Sequence, residues 1–183
     1  DSLSVAQRRK YARLAEELDV QPGDRVLEIG CGWGGFAEYA AAEYGCEVVG
    51  LTLSTEQAAY ASLRMENSGL ADQVEIRLQD YRDVRGVFDK IVSIEMFEAV
   101  GVEHWPIYFD TLRQSLKAGG RAAVQTITIG DEHFASYRRT PDFIQHYIFP
   151  GGVLPSPSVF AESATANGMA VCNTHFFGSS YAE

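Results

Sequence analysis

The sequence predicts a doubly wound α/β fold with a mostly parallel sheet, and three observations support this prediction. Short apolar runs alternate with longer segments of helical spacing, a pattern that requires parallel strands joined by right-handed crossovers. A glycine-rich turn joins the first apolar run to the helix that follows it. The length of 183 residues suits one such domain, and we expect residues 1–183 to form a single one.

Turn and cap signals set the boundaries of the elements. The turn Pro22-Gly23 precedes the first strand, and Gly45 ends the helix that follows that strand. Ser54 opens another helix, with Gln57 at the capping-box position. The predicted elements are, in chain order, helix 2–19, strand 25–29, helix 34–44, strand 47–53, helix 54–66, strand 74–78, strand 90–94, helix 105–116, strand 121–129, helix 159–167 and strand 170–177.

A segment rich in aromatic residues and proline interrupts the alternation over residues 130–157. It follows the fifth strand, on the side of the sheet where the strands have their carboxyl ends. Ligands bind on that side in open α/β sheets. We therefore expect this segment to be a lid-like insertion that covers the substrate.

The charge balance is acidic. The chain carries 15 Lys and Arg against 25 Asp and Glu, for a formal net charge of −10. This argues against a nucleic-acid partner, which rewards clustered basic residues, and against simple electrostatic adsorption to anionic lipid. A basic cluster near the start, formed by Arg8, Arg9, Lys10 and Arg13, is interpreted as a solvated helix face.

The cysteines and histidines predict neither a disulfide framework nor a metal site. Cys31, Cys46 and Cys172 are widely spaced, which is typical of a reducing, cytoplasmic setting, and the histidines lack metal-ligand spacing. No uncharged apolar run approaches the roughly 20 residues of a membrane span. The start, DSLSVAQRRK, has neither an initiator Met nor an apolar signal core, so we expect a piece of a longer protein.

The turn after the first strand is the most informative segment. Gly30, Gly32 and Gly35 match the G-x-G-x-x-G spacing of dinucleotide sites, where the backbone approaches a ligand at a helix N-terminus. Glu28 precedes these glycines and could face a cationic amine, whereas the second strand ends at Thr52 without an acid to hold a ribose. This combination favours S-adenosylmethionine, and an NAD-dependent oxidoreductase stays open as an alternative.

Five segments together resemble one family. GCGWGGFAEYAA, GLTLSTEQ, LQDYRD, IVSIEMFEAVG and FIQHYIFPGGVLPS are similar to segments of cyclopropane-fatty-acyl-phospholipid synthases and mycolic acid cyclopropane synthases. These enzymes are class I S-adenosylmethionine-dependent methyltransferases. The resemblance implies a Rossmann-like fold. It also implies an upstream segment, a final strand and a final helix beyond the printed sequence.

The resemblance also implies a cofactor site for S-adenosylmethionine. Thr52, Leu53 and Gln57 would hold the ribose and adjacent atoms, and Asp80 and Tyr81 would flank the adenine. The implied cofactor-binding residues are Glu28, Gly30, Cys31, Gly32, Trp33, Gly34, Thr52, Leu53, Gln57, Asp80 and Tyr81.

A bicarbonate site is the implied centre of catalysis. The resemblance assigns to it Glu98, Gln125, a backbone group of Ile127, and Tyr181. Gln125 stands where the family carries histidine. Glutamine can donate a hydrogen bond to the ion but cannot titrate near neutral pH, so an imidazole proton shuttle is not expected.

The implied reaction transfers a methyl group to the double bond of an unsaturated acyl chain. Loss of a proton from the resulting cation gives either a cyclopropane or a methylene-branched chain, and both products stay open. The expected partner is an unsaturated acyl lipid or phospholipid, with peripheral contact at the inner membrane surface. Two further alternatives stay open: methyl transfer to an amine or other small molecule, and a non-catalytic cofactor-binding domain.

Overall fold

Five parallel strands form one sheet in the order β3-β2-β1-β4-β5. A computed structural model describes residues 2–139 and 152–178. The strands are β1 Arg25–Ile29, β2 Glu47–Thr52, β3 Val74–Leu78, β4 Phe88–Ile94 and β5 Leu116–Gln125. The α-helices are α1 Leu3–Leu18, α2 Gly35–Tyr44, α3 Thr55–Asn67, α4 Trp105–Ser115, α5 Asp131–Tyr137 and α6 Pro157–Ala166.

Two apolar clusters cover the two faces of the sheet. Side chains alternate along β1, so Val26 packs with α1, α2 and α3, whereas Leu27 packs with α4, α5 and α6. Phe36 and Met65 fill the first cluster, and the second contains Trp105. Both faces are therefore buried, as a parallel sheet requires.

The strand order changes direction between β1 and β4. β1 pairs with β2 on one side and with β4 on the other, and the crossovers leave the sheet toward opposite faces. A crevice forms outside the carboxyl ends of the strands at such a point. The loops after β1, β2, β4 and β5 converge there and carry most of the residues assigned from the sequence.

The predicted fold class and the first five strands are confirmed, with shifts at several ends. β5 begins at Leu116 and not at residue 121, because a register irregularity between Phe88 and Lys90 accommodates the paired glycines 119–120. It ends at Gln125, opposite the last residue of β4, so residues 126–129 leave the sheet.

The predicted strand 170–177 is wrong. The structure describes these residues, and they form no ladder with β5 or with any other described strand. Most of their side chains are exposed, so the alternating apolar pattern has no buried face to occupy. The predicted insertion is described only in part, since residues 140–151 lie outside the described ranges. None of the described helices is long and apolar enough to cross a bilayer.

Candidate active site

The glycine loop after β1 turns sharply because three of its glycines, Gly30, Gly32 and Gly34, have positive φ angles. Gly30 has φ +82° and Gly32 has φ +52°. A Cβ at Gly30 would lie 2.9 Å from Met96 Cγ, whereas no described atom lies within 4 Å of a Cβ at Gly32. The backbone N–H groups of Gly30 and Cys31 donate to the carbonyl of Leu51, at 3.0 and 2.8 Å. The loop is thereby fixed to the end of β2, with open space beside Gly32.

Helix α2 begins directly behind this loop. Gly34 is the N-cap, with φ +77°. A Cβ at Gly35 would lie 2.5 Å from the hydroxyl oxygen of Tyr11 in α1. Glu38 in the first turn of α2 accepts two hydrogen bonds from the guanidinium of Arg64 in α3, at 2.6 and 2.8 Å. Helices α1 and α3 therefore both hold the start of α2 in place.

Glu28 is the buried acid of the loop region. Its side chain lies near the end of β1 and is 2% exposed. Burial raises the pKa of Glu28 well above its usual value, and a hydrogen bond with the backbone of Ala37 acts in the opposite direction. Its Oε2 is buried and has no hydrogen-bond partner in the described part of the chain. A nearby cation would stabilise the ionised form of this carboxyl and lower its pKa.

The end of β2 forms a small hydrogen-bonded unit. The hydroxyl of Thr52 donates to Gln57 Oε1 at 2.7 Å and accepts from the backbone N–H of Ser54 at 3.2 Å. Ser54 caps α3 by accepting from the N–H of Gln57, as predicted, but the reciprocal bond of a capping box is missing, because the Ser54 N–H donates to Thr52 and not to the Gln57 side chain. The side chain of Gln57 bonds to Thr52, so the sequence-assigned Thr52 and Gln57 lie in direct contact.

Large apolar side chains are exposed at the carboxyl edge of the sheet. Trp33, Leu53 and Leu78 follow or end successive strands, and Ile127 follows β5. Trp33 is 53% exposed, with its ring edge-on to Tyr60 at 5.4 Å, and Leu53 is 73% exposed. This edge therefore combines a polar loop with apolar surface.

The loop after β3 places Asp80 and Tyr81 side by side. Asp80 caps a short 3-10 turn and accepts hydrogen bonds from the backbone and the guanidinium of Arg82. These bonds hold the pKa of Asp80 below its usual value, although partial burial acts in the opposite direction. Tyr81 is partly buried and packs edge-on against Tyr108 at 5.7 Å. Asp80 is thus already engaged by a neighbour that the sequence analysis did not consider.

Glu98 lies in a 3-10 turn after β4 and is 7% exposed. Its Oε1 accepts from the backbone N–H of Ile127 at 2.5 Å, and its carbonyl accepts from the N–H of Val153 at 3.1 Å. Its Oε2 is buried without a hydrogen-bond partner among the described residues. The structure thus brings Glu98 and Ile127 together, with the Ile127 N–H donated to Glu98. Tyr181 lies outside the described residues.

Glu95 was not among the residues predicted from the sequence. This residue follows β4 with φ +54°, a left-handed conformation that is uncommon outside glycine. Its Oε1 accepts from Gln125 Nε2 at 2.9 Å, and Lys10 Nζ of α1 lies 3.6 Å from the same oxygen. The only signal in the sequence was an acidic residue directly after a buried strand, three positions before Glu98.

Cys31 lies in the glycine loop but is unsuited to nucleophilic chemistry. It is buried, and burial together with nearby Glu28 raises the pKa of its thiol to about 12. A Cβ at Gly50 would lie 3.0 Å from Cys31 Cβ, so this side chain fills the space beneath the loop. Within the described ranges, no group of three or more His, Cys, Asp or Glu side chains could hold a metal ion.

The family model of mycolic acid cyclopropane synthetase matches residues 1–183. The chain belongs to this family. It is 47% identical over 160 residues to the tuberculostearic acid methyltransferase UfaA1 of Mycobacterium tuberculosis, covering 87% of this chain and 37% of that protein. It is 41% identical over 181 residues to the cyclopropane-fatty-acyl-phospholipid synthase of Escherichia coli K12, covering 99% of this chain and 45% of that protein.

Solved structures of the family share the fold. The cyclopropane synthase MmaA2 of Mycobacterium tuberculosis matches with a TM-score of 0.85 and 30% identity, covering 94% of this chain and 64% of that one. The mycolic acid cyclopropane synthase CmaA1, in complex with SAH and CTAB, matches with a TM-score of 0.82 and 32% identity over the same shares. The chain spans less than half the length of the two curated relatives above.

Proposed function

We propose that this protein transfers a methyl group from S-adenosylmethionine to the double bond of an unsaturated acyl chain. The observation that carries the proposal is the composition of the carboxyl edge of the sheet. There, a glycine loop lies beside exposed apolar side chains and follows Glu28, whose buried Oε2 has no partner among the described residues. A zwitterionic cofactor and an apolar substrate need these two surfaces side by side. Family membership and the relatives' names support the same reaction.

The residues of the loop fit the cofactor. Glu28 would accept a hydrogen bond from the ammonium group of the cofactor, since its buried Oε2 lacks a partner among the described residues. Gly32 leaves room for close backbone approach, and Thr52 with Gln57 would hold the ribose as a preformed unit. S-adenosylmethionine, when bound, supplies an electrophilic methyl group on a sulfonium. The protein's part is to bind and orient it, which can supply much of the rate enhancement.

The acyl chain would lie against the apolar part of the edge. An isolated alkene has no acidic proton to lose before it is methylated, so no protein base is required for that step. Ile127, which is half exposed at this edge, would help to exclude water and orient the double bond, while Trp33 and Leu53 keep their assignment to the cofactor. We further propose that residues 130–157 cover this substrate. Where the substrate is a phospholipid, the enzyme would contact a membrane surface peripherally, because the lipid lies there.

Closing the ring or forming the methylene requires removal of one proton from the cation. Glu98 and Gln125 fit bicarbonate as the acceptor, because Glu98 Oε2 is buried without a described partner and a primary amide carries two N–H donors, of which Gln125 gives one to Glu95. Tyr181 would complete the set. Bicarbonate, when bound, would supply a proton acceptor, and the side chains would hold it in place.

The test uses the complete polypeptide that contains this sequence. It is incubated with methyl-labelled S-adenosylmethionine and vesicles of a mono-unsaturated phospholipid, and the acyl esters are identified by mass spectrometry. We expect label in a cyclopropane or methylene-branched chain, and none with vesicles of the saturated phospholipid. Cofactor binding without any label in lipid would contradict the proposal and would point to an amine or other small acceptor.

A further inference from the structure

Two hydrogen bonds join Glu95 and Gln125. The backbone N–H of Glu95 donates to the carbonyl of Gln125 at 2.9 Å, and the Gln125 side-chain amide donates back to Glu95 Oε1 at 2.9 Å. Gln125 is the last residue of β5, and Glu95 directly follows Ile94, the last residue of the adjacent strand β4. The side chain of Gln125 is therefore held by the first residue after the neighbouring strand.

A carboxylate can only accept hydrogen bonds, whereas a primary amide has a donating end and an accepting end. Glu95 therefore determines which end of the Gln125 amide faces it: the NH₂ group. A neutral partner with both donors and acceptors would let the amide flip by half a turn. The orientation of the Gln125 side-chain amide therefore depends on residue 95 being a carboxylate.

Two further observations show that Glu95 is held in this position. Its φ of +54° is strained for a residue with a side chain, and such strain persists where surrounding contacts enforce it. Lys10 Nζ lies 3.6 Å from the oxygen that accepts from Gln125, and the side chain of Lys10 is only 19% exposed. Helix α1 is thereby joined to the ends of β4 and β5.

We propose that Glu95 is a positioning residue that orients the side-chain amide of Gln125 in the proposed bicarbonate site, with Lys10 holding Glu95 in turn. The inference rests on the proposed function, because the orientation of Gln125 matters only where Gln125 faces the reaction. Glu95, in the loop after β4, and Lys10, in α1, would thus both act on the reaction through Gln125.

The test is a double-mutant cycle in the complete polypeptide, with Glu95→Ala, Gln125→Ala and the double variant. Alanine keeps the Cβ, so the backbone strain at residue 95 stays comparable. We expect Glu95→Ala to lower kcat by roughly tenfold to a hundredfold, the range for loss of a hydrogen bond to a charged group, with KM for the cofactor little changed. In the Gln125→Ala background, the same substitution should have no further effect, since its route of action is gone.

Two further variants separate positioning from folding. Glu95→Gln keeps an accepting oxygen and should recover part of the lost activity. Glu103→Gln, an exposed glutamate in the next turn, should behave as the wild type. Equal losses from Glu95→Ala with and without Gln125 would overturn the proposal.

A readout that does not depend on activity keeps the proposal testable if the lipid reaction fails. The side-chain amide protons of Gln125, assigned by NMR through Gln125→Ala, should exchange with solvent faster in Glu95→Ala than in the wild type. Unchanged exchange would overturn the positioning role. Absence of lipid methylation by the wild type, with faster exchange in the variant, would instead contradict the proposed function alone.

Discussion

The substitution Glu28→Gln should change how the stability of the protein depends on pH. Glu28 is 2% exposed, and burial raises its pKa well above the usual value despite the hydrogen bond with the Ala37 backbone. Between the pKa of the unfolded chain and that of the folded protein, the folded state therefore holds a proton that the unfolded state has released. Over this interval the free energy of unfolding falls as the pH rises.

The magnitude follows from linkage. One proton changes the free energy of unfolding by about 1.4 kcal/mol per pH unit. The stabilising contribution is complete below the unfolded pKa of about 4.3 and is lost as the pH rises through the folded pKa. Glutamine has nearly the same shape and does not titrate, so the variant lacks this slope. Burying the amide changes the free energy of unfolding by an amount that does not depend on pH. The test is therefore the slope of the unfolding free energy against pH.

The assay is urea unfolding followed by far-UV circular dichroism, from about pH 5 to about pH 8. We expect the difference in unfolding free energy between Glu28→Gln and the wild type to shift in favour of the variant as the pH rises. Glu66→Gln, an exposed glutamate in α3, is the matched control and should run parallel to the wild type. Parallel curves for Glu28→Gln and the wild type would refute the argument that burial keeps this carboxyl protonated.

Three further predictions concern packing, backbone strain and the Glu98 contact. Gly35→Ala should lower the unfolding free energy by about 1–3 kcal/mol, because its Cβ would meet the Tyr11 hydroxyl, and Tyr11→Phe should recover part of this loss in urea titrations. Glu95→Gly should be more stable than Glu95→Ala by about 1 kcal/mol, since only glycine accepts the left-handed backbone without cost, and equal melting temperatures would contradict this. Glu98→Ala should lose about 1–3 kcal/mol by leaving the Ile127 N–H unpaired, whereas Glu98→Gln keeps an acceptor and should stay within about 1 kcal/mol of the wild type in the same assay.

Strand and helix ends that are set by neighbouring residues could be predicted from the sequence. The bounds of β1 are as predicted, because a buried apolar run ends at Gly30, a residue that can adopt the left-handed turn. Helix α2 ends at Gly45 for the same reason. The hydrogen bond from the Gln57 N–H to Ser54 followed from a spacing of three residues.

Pairing between distant segments could not be predicted in this way. Residues 170–177 have a strand-like pattern, but a strand also needs a partner, and the sequence does not state one. The bond from Gln125 to Glu95 and the bond from Ile127 to Glu98 join residues 30 and 29 positions apart. The motif resemblance named three of these four residues, and it offered no reason to single out Glu95.

The protein's two tryptophans occupy opposite environments. Trp105 is 2% exposed, and its indole N–H donates to the carbonyl of Val100 at 3.0 Å, whereas Trp33 lies half exposed in the glycine loop. The fluorescence signals of the two residues should therefore be distinguishable. Trp105, in its buried site, should emit at shorter wavelength, and Trp33 should be quenched more strongly by a soluble quencher such as acrylamide. The molecule thus carries one intrinsic reporter of its core and another of the carboxyl edge of its sheet, without any added dye.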